Sequence, residues 1–124
     1  ASERVRLLGI DTPEVHASTK MERDVRRSGR SREEIRALGR LAASFTRSHL
    51  DGRAVGLEFD VQTRDVYGRL LAYVWLGDGT LFNMLILKEG YAQVLTVPPN
   101  VRYADVFLAC QQEARAQGRG LWIR

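Results

Sequence analysis

The sequence predicts an α+β domain, mainly β, and three observations carry that prediction. Val55, Leu57 and Phe59 alternate with small or polar residues, the period of a strand with one buried face. Residues 69–76 are apolar on both faces, as a central strand requires. Ser31 and Glu34 form a capping-box pattern, after which Ile35, Leu38, Ala42, Phe45 and His49 recur at helical spacing.

Residues 5–10 read as the first strand, ending at Asp11-Thr12-Pro13, where Pro13 lacks an N–H and biases Thr12 toward an extended conformation. Residues 15–29 show no clean period. Residues 18–40 hold eight Lys/Arg against four Asp/Glu, and the first half of that stretch is expected to be a long, mobile basic loop. The helix begun at Ser31 stops at Asp51-Gly52. A polar turn through Asp65-Val66-Tyr67-Gly68 separates the strand 55–59 from the central strand, and Asp78-Gly79 marks a tight turn. Asn83 is expected to cap a short helix to Glu89, with Gly90 as its left-handed stop. Residues 91–97 read as another strand, broken by Pro98-Pro99. Asn100 is expected to cap a last helix with an apolar stripe of Tyr103, Val106, Phe107, Cys110 and Ala114, closed by Gly118. Leu121 and Trp122 are expected to pack back onto the barrel, and Trp75, Trp122 and Cys110 to lie in the core. The expectation is four strands and three helices in a single domain over residues 1–124.

Composition bounds the function classes. A chain of 124 residues is long enough for one core and too short for two. A hydrophobic fraction of 44% with 27% charged residues is that of a soluble folded domain. The net charge of +4 suits an anionic partner such as nucleic acid or an acidic membrane surface. Cys110 stands alone, which excludes an internal disulfide. The longest purely apolar run, residues 70–76, is too short to span a bilayer. The chain opens Ala-Ser-Glu-Arg, with no initiator methionine and no signal-peptide pattern, as a processed or trimmed chain would.

Two segments carry chemistry. In the first, residues 6–14, a strand ends and two carboxylates three positions apart emerge around a turn. Hydrolysis of a phosphodiester needs a water deprotonated or oriented, charge neutralised on the phosphoryl oxygens, and usually a hard cation held by oxygens. Asp11 suits the cation, with the Thr12 carbonyl as a second ligand; Glu14 suits the water; Arg6 offers a planar fork to phosphate. The same residues also read as an ordinary turn with solvated acids. In the second segment, Arg69 follows a Tyr67-Gly68 turn and heads the apolar strand. It reads either as a surface arginine at a strand start or as a second phosphate clamp. Only Asp11 stands out as a carboxylate ligand, so cation affinity is expected to be low; tight binding would mean that another carboxylate, Asp65 or one within the basic loop, completes the site. His16 and His49 read as a loop and a helix-end histidine.

Together the segments Arg6-Leu7-Leu8-Gly9-Ile10-Asp11-Thr12-Pro13-Glu14 and Tyr67-Gly68-Arg69-Leu70-Leu71-Ala72-Tyr73, with Lys88-Glu89-Gly90 and the ending Gly120-Leu121-Trp122, resemble the staphylococcal nuclease (thermonuclease) family over nearly the whole chain. The resemblance implies an OB-fold-type five-stranded barrel packed with three helices. It implies a calcium-dependent nuclease that acts on DNA and RNA and leaves 3′-phosphate products. Asp11 and Thr12 then match calcium ligands, Glu14 the general base, Arg6 and Arg69 the phosphate-binding arginines, and Tyr67 a tyrosine of the nucleotide site. A secreted or periplasmic location would go with it.

The departures are also specific. The family's first two strands, with a further calcium-binding aspartate, have no counterpart in this sequence. The barrel is therefore expected to be open, the calcium site weak, and homodimerisation through open edges favoured. Val66 stands where the well-known member has a lysine, and Thr96 and Pro98 where it has two tyrosines; Tyr103 is the candidate to stack on the base instead. The alternative function is a catalytically impaired nucleic-acid-binding OB-type module.

Overall fold

The computed structural model describes residues 2–13 and 19–123. The described chain runs β1 (Val5–Leu7), β2 (Ile10–Asp11), α1 (Thr19–Ser28), α2 (Arg32–Leu50), β3 (Gly56–Glu58), β4 (Leu70–Trp75), α3 (Phe82–Lys88), β5 (Gln93–Val94), α4 (Ala104–Ala116) and a closing 3-10 turn, Gly120–Trp122. The expected α+β arrangement is present as small sheets packed with helices, and the barrel is not closed. β4 is central: β1 lies parallel to it, with Val5 opposite Leu70 and Leu7 opposite Ala72, and β3 lies antiparallel on its other side. β2 pairs antiparallel with β5, Ile10 opposite Val94.

The core forms where β4 meets α3 and α4. Tyr73, Phe82, Ile86, Leu87 and Phe107 are fully buried there. Phe107 explains Gly9: a Cβ at that position would come within 2.6 Å of the Phe107 ring, and Gly9 also has φ +79°. Gly90, at φ +81°, ends α3 as expected, and its backbone lies so close to Arg119 that any side chain would collide with the Arg119 carbonyl. Leu121 N–H donates to the Gly90 carbonyl at 2.8 Å, which docks the C-terminal turn against the end of α3.

Several expectations are corrected. The strand 5–10 is two strands, because the chain turns at Leu8-Gly9 to leave β4 and join β5. The basic stretch is not all loop. α1 occupies Thr19–Ser28, and Met21, fully buried, anchors it to the protein. Its apolar signal is only Met21 and Val25, one turn apart, so nearly all its helical face is polar. Among the described residues there are thus four α-helices and five strands, against three and four expected. β3 has the reverse of its expected orientation. Val55, Leu57 and Phe59 are about 40% exposed, while Glu58 accepts from Trp75 and Tyr103, and Asp60 from Tyr73. The strand 91–97 shrinks to β5.

Neither asparagine is a cap. Asn83 lies inside α3, fully buried; its Oδ1 accepts from Val74 N–H at 3.0 Å and its Nδ2 donates to the Leu8 carbonyl at 2.8 Å. Asn100, also buried, bonds both the N–H and the carbonyl of Gln62, and α4 begins only after Tyr103. The α4 stripe holds at Phe107, Cys110 and Ala114, while Val106 is exposed. Burial pushes the Cys110 thiol up. The Ser31–Glu34 capping box of α2 forms as expected. Trp75 and Trp122 are half-buried rather than central; the Trp75 indole N–H donates to Glu58, and the Arg115 guanidinium covers the Trp122 ring at 5.0 Å.

Candidate active site

The two arginines are brought together by the parallel pairing of β1 and β4. Arg6 stands opposite Leu71, and Arg69 sits just before Leu70. Both side chains line one cavity of about 200 Å³, walled by Leu8, Gly9, Leu95 and Asn100 among others. Arg6 folds back on its own turn, its Nη1 donating to the carbonyls of Ile10 at 3.2 Å and Leu7 at 3.3 Å. It also reaches a second hollow of about 440 Å³ between β1 and α2, which Thr12 and Pro13 line. The half-buried Arg6 therefore borders both the cavity and the hollow at Thr12, while Asp11 lines neither.

Arg69 is held by Asp65. Its Nε donates to Asp65 Oδ2 at 2.6 Å, and its backbone N–H and that of Tyr67 donate to Oδ1 at 3.0 and 2.9 Å. Asp65 thus closes the Tyr67-Gly68 turn and orients the guanidinium in one step. Burial pushes the Asp65 carboxyl up, but the Arg69 and Tyr67 N–H groups and the Arg69 charge outweigh it and leave it below the ordinary range. Tyr67 is 74% exposed, with the Arg69 guanidinium 5.7 Å from its ring centre. Tyr103 lies elsewhere. Its hydroxyl donates to Glu58 at 2.7 Å, and its ring packs edge-on to Tyr73 and stacks with Phe107.

At the turn after β2, an amine meets the proposed cation ligands. Lys20 of α1 donates from Nζ to the Thr12 carbonyl at 2.7 Å and to Asp24 Oδ2 at 3.1 Å, with Asp11 Oδ2 at 3.5 Å. The sequence reading singled out neither Lys20 nor Asp24, the two residues that meet this turn. Their i,i+4 spacing on a helix was the available signal. Glu14 and His16 lie outside the described residues. Among the described residues no group of three or more His, Cys, Asp or Glu gathers to hold a metal ion. The oxygens of Asp11, Thr12 and Asp24 are fewer than the six to eight that calcium takes, and an ammonium already lies among them. This described set does not fit calcium as it stands.

A family model described as "Staphylococcal nuclease homologue" matches residues 4–124. The chain belongs to that family. A thermonuclease of Staphylococcus intermedius is 38% identical over 122 residues, covering 98% of this chain and 64% of that protein. An endonuclease of Bacillus subtilis, YncB, is 35% identical over 124 residues, 98% of this chain and 52% of its own length. An uncharacterized endonuclease of Escherichia coli O157:H7 is 34% identical over 122 residues, 95% of this chain and 74% of its own. The chain thus spans less than two thirds of the staphylococcal relative.

Proposed function

We propose that this domain is a nuclease that hydrolyses phosphodiester bonds of DNA, RNA or both, with 3′-phosphate products and a calcium requirement. The observation that carries the reading is the shared cavity of Arg6 on β1 and Arg69 just before β4, with Arg6 also bordering the hollow that Thr12 lines. Two guanidiniums at one cavity offer forked donors to the same phosphoryl group, where charge grows as water attacks phosphorus. Glu14 takes the water's proton, the P–O5′ bond breaks, and the departing oxygen takes a proton from solvent. Asp65 keeps Arg69 aimed, and exposed Tyr67 borders the nucleotide. Exposed Arg23, Arg26, Arg27, Arg40 and Arg47 on α1 and α2 steer an anionic strand toward the site. Calcium would use the Asp11 carboxylate and the Thr12 carbonyl with further oxygens beyond the described set.

The test is cleavage of single-stranded DNA and RNA with and without calcium, with end analysis of the fragments, on the parent and Glu14→Gln. A calcium-dependent activity that falls about 10²- to 10⁴-fold in Glu14→Gln supports the reading. Cleavage by Glu14→Gln at the parent rate removes the base assignment. The second reading, a nucleic-acid-binding module without catalysis, is favoured by the ammonium among the cation ligands. Salt-sensitive binding without cleavage would establish it.

A further inference from the structure

We propose that the cavity between α1, the start of α2 and the C-terminal turn takes one unstacked nucleobase of the substrate strand. This deepens the nuclease reading and rests on it for the class of ligand. The cavity, about 190 Å³, is separate from the one that Arg6 and Arg69 share, and the two have no described lining residue in common. It adjoins the proposed site through the turn after β2. Pro13, directly after Asp11-Thr12, borders it, and Gln93, which also lines it, stands opposite Asp11 in the β2–β5 pair.

Trp122 lines this cavity, and its indole N–H is shielded from solvent and donates to nothing, the one such side-chain atom among the described residues. A buried donor without an acceptor is destabilising, and a ligand acceptor would relieve it. Gln93 is half-buried, and its amide, which offers both a donor and an acceptor, bonds none of the described residues. Asp24 meets Lys20 through Oδ2 at 3.1 Å, which leaves Oδ1 as an acceptor. Buried Ile35, with Leu121 and the indole ring, supplies an apolar wall. Donors and acceptors set on an apolar lining suit a planar heterocycle whose edge carries both kinds of group. A phosphate inside the cavity would bring its charge against the Asp24 carboxylate. Arg30 is already spent on the carbonyls of Leu121 and Ile123 and faces Glu34 at 3.7 Å, so it fixes the walls rather than awaiting an anion. Arg27 is different. It is exposed, lines the cavity mouth and makes no ion pair among the described residues, so it can meet the phosphate attached to a seated base.

Heteronuclear NMR of the parent protein reads the indole directly, because Trp75 and Trp122 are its only tryptophans. The Trp75 N–H, already bonded to Glu58 at 2.8 Å, is the internal reference, and Trp122→Phe assigns the other signal by removing it. Adenosine, guanosine, cytidine and uridine are titrated without calcium; all four are uncharged and give the arginines no phosphate to hold. Inorganic phosphate is the comparison. At least one nucleoside should move the Trp122 N–H signal downfield and saturably while Trp75 stays in place, and phosphate should leave both unmoved. Gln93→Ala should weaken that nucleoside's binding about threefold or more. No response to any nucleoside means that water alone serves the indole N–H, and overturns the inference. A response to phosphate and to no nucleoside makes the cavity an anion site and overturns it as well. Cleavage of nucleic acid by a protein whose Trp122 ignores nucleosides would sink this inference and leave the nuclease reading, whereas nucleoside binding in a protein that cleaves nothing would do the reverse.

Discussion

Asn83→Ala is expected to be among the most damaging single substitutions outside the site, and the structure sets its size. The Asn83 amide joins two backbone groups that no water reaches: it accepts from Val74 N–H in the central strand and donates to the Leu8 carbonyl at the β1–β2 turn. Removing the side chain leaves both groups buried and unpaired. Each such loss costs roughly 1–3 kcal/mol, so about 2–6 kcal/mol is expected in all, before any cavity term. For a domain of this size that corresponds to roughly 10 °C or more in Tm. Urea unfolding followed by tryptophan fluorescence, with a calorimetric melt, measures it directly. The Leu8 carbonyl belongs to the turn between Arg6 and Asp11, so the variant should also lose cleavage well below its melting temperature. A loss under about 1 kcal/mol would mean that the two backbone groups find other partners, and the bridging role would be wrong.

Arg6→Ala and Arg69→Ala should each lower kcat by about 10²-fold, near 3 kcal/mol, because each removes a donor from the developing phosphoryl charge; steady-state cleavage with a melt as control decides, and parent kinetics in either variant removes that residue from the site. Stability should hold above about pH 5 and fall below about pH 4. Burial raises Glu58 and Asp60, but bonds from Tyr103, Trp75 and Arg102 to Glu58, and from Tyr73, Arg102 and Val61 to Asp60, outweigh it and hold both below their ordinary 4.5 and 3.8. Their contribution is therefore complete above the unfolded values and lost as pH falls through the folded ones; Glu58→Gln should blunt the acid decline in a denaturation series, and an unchanged profile would refute the role. Within the described residues β1 is paired on one side only, beside the hollow it shares with α2, so light scattering of the protein should show dimers at rising concentration, and a monomer throughout would show that this edge is protected.

The sequence by itself determined much of the local structure and named the candidates for the site. The Ser31–Glu34 box, the apolar 69–76 run and the Gly90 stop depend on neighbours within a few residues, and all three are where the pattern places them. Arg6, Asp11, Thr12 and Arg69 were named from order and residue type, which is how a motif is legible without coordinates. Long-range contacts decided the rest. Glu58 of β3 and Asp60 just beyond it turn inward because Trp75, Tyr73 and Tyr103 need acceptors, a demand that alternation over residues 55–59 does not reveal. Asn83 and Asn100 look like caps locally, yet each is spent on backbone groups from distant segments. α1 was hidden because burial of Met21, rather than a broad apolar face, holds it. That same helix delivers Lys20 to the Thr12 carbonyl. No short-range pattern encodes that meeting, since only the packing of α1 beside the β2 turn fixes the distance.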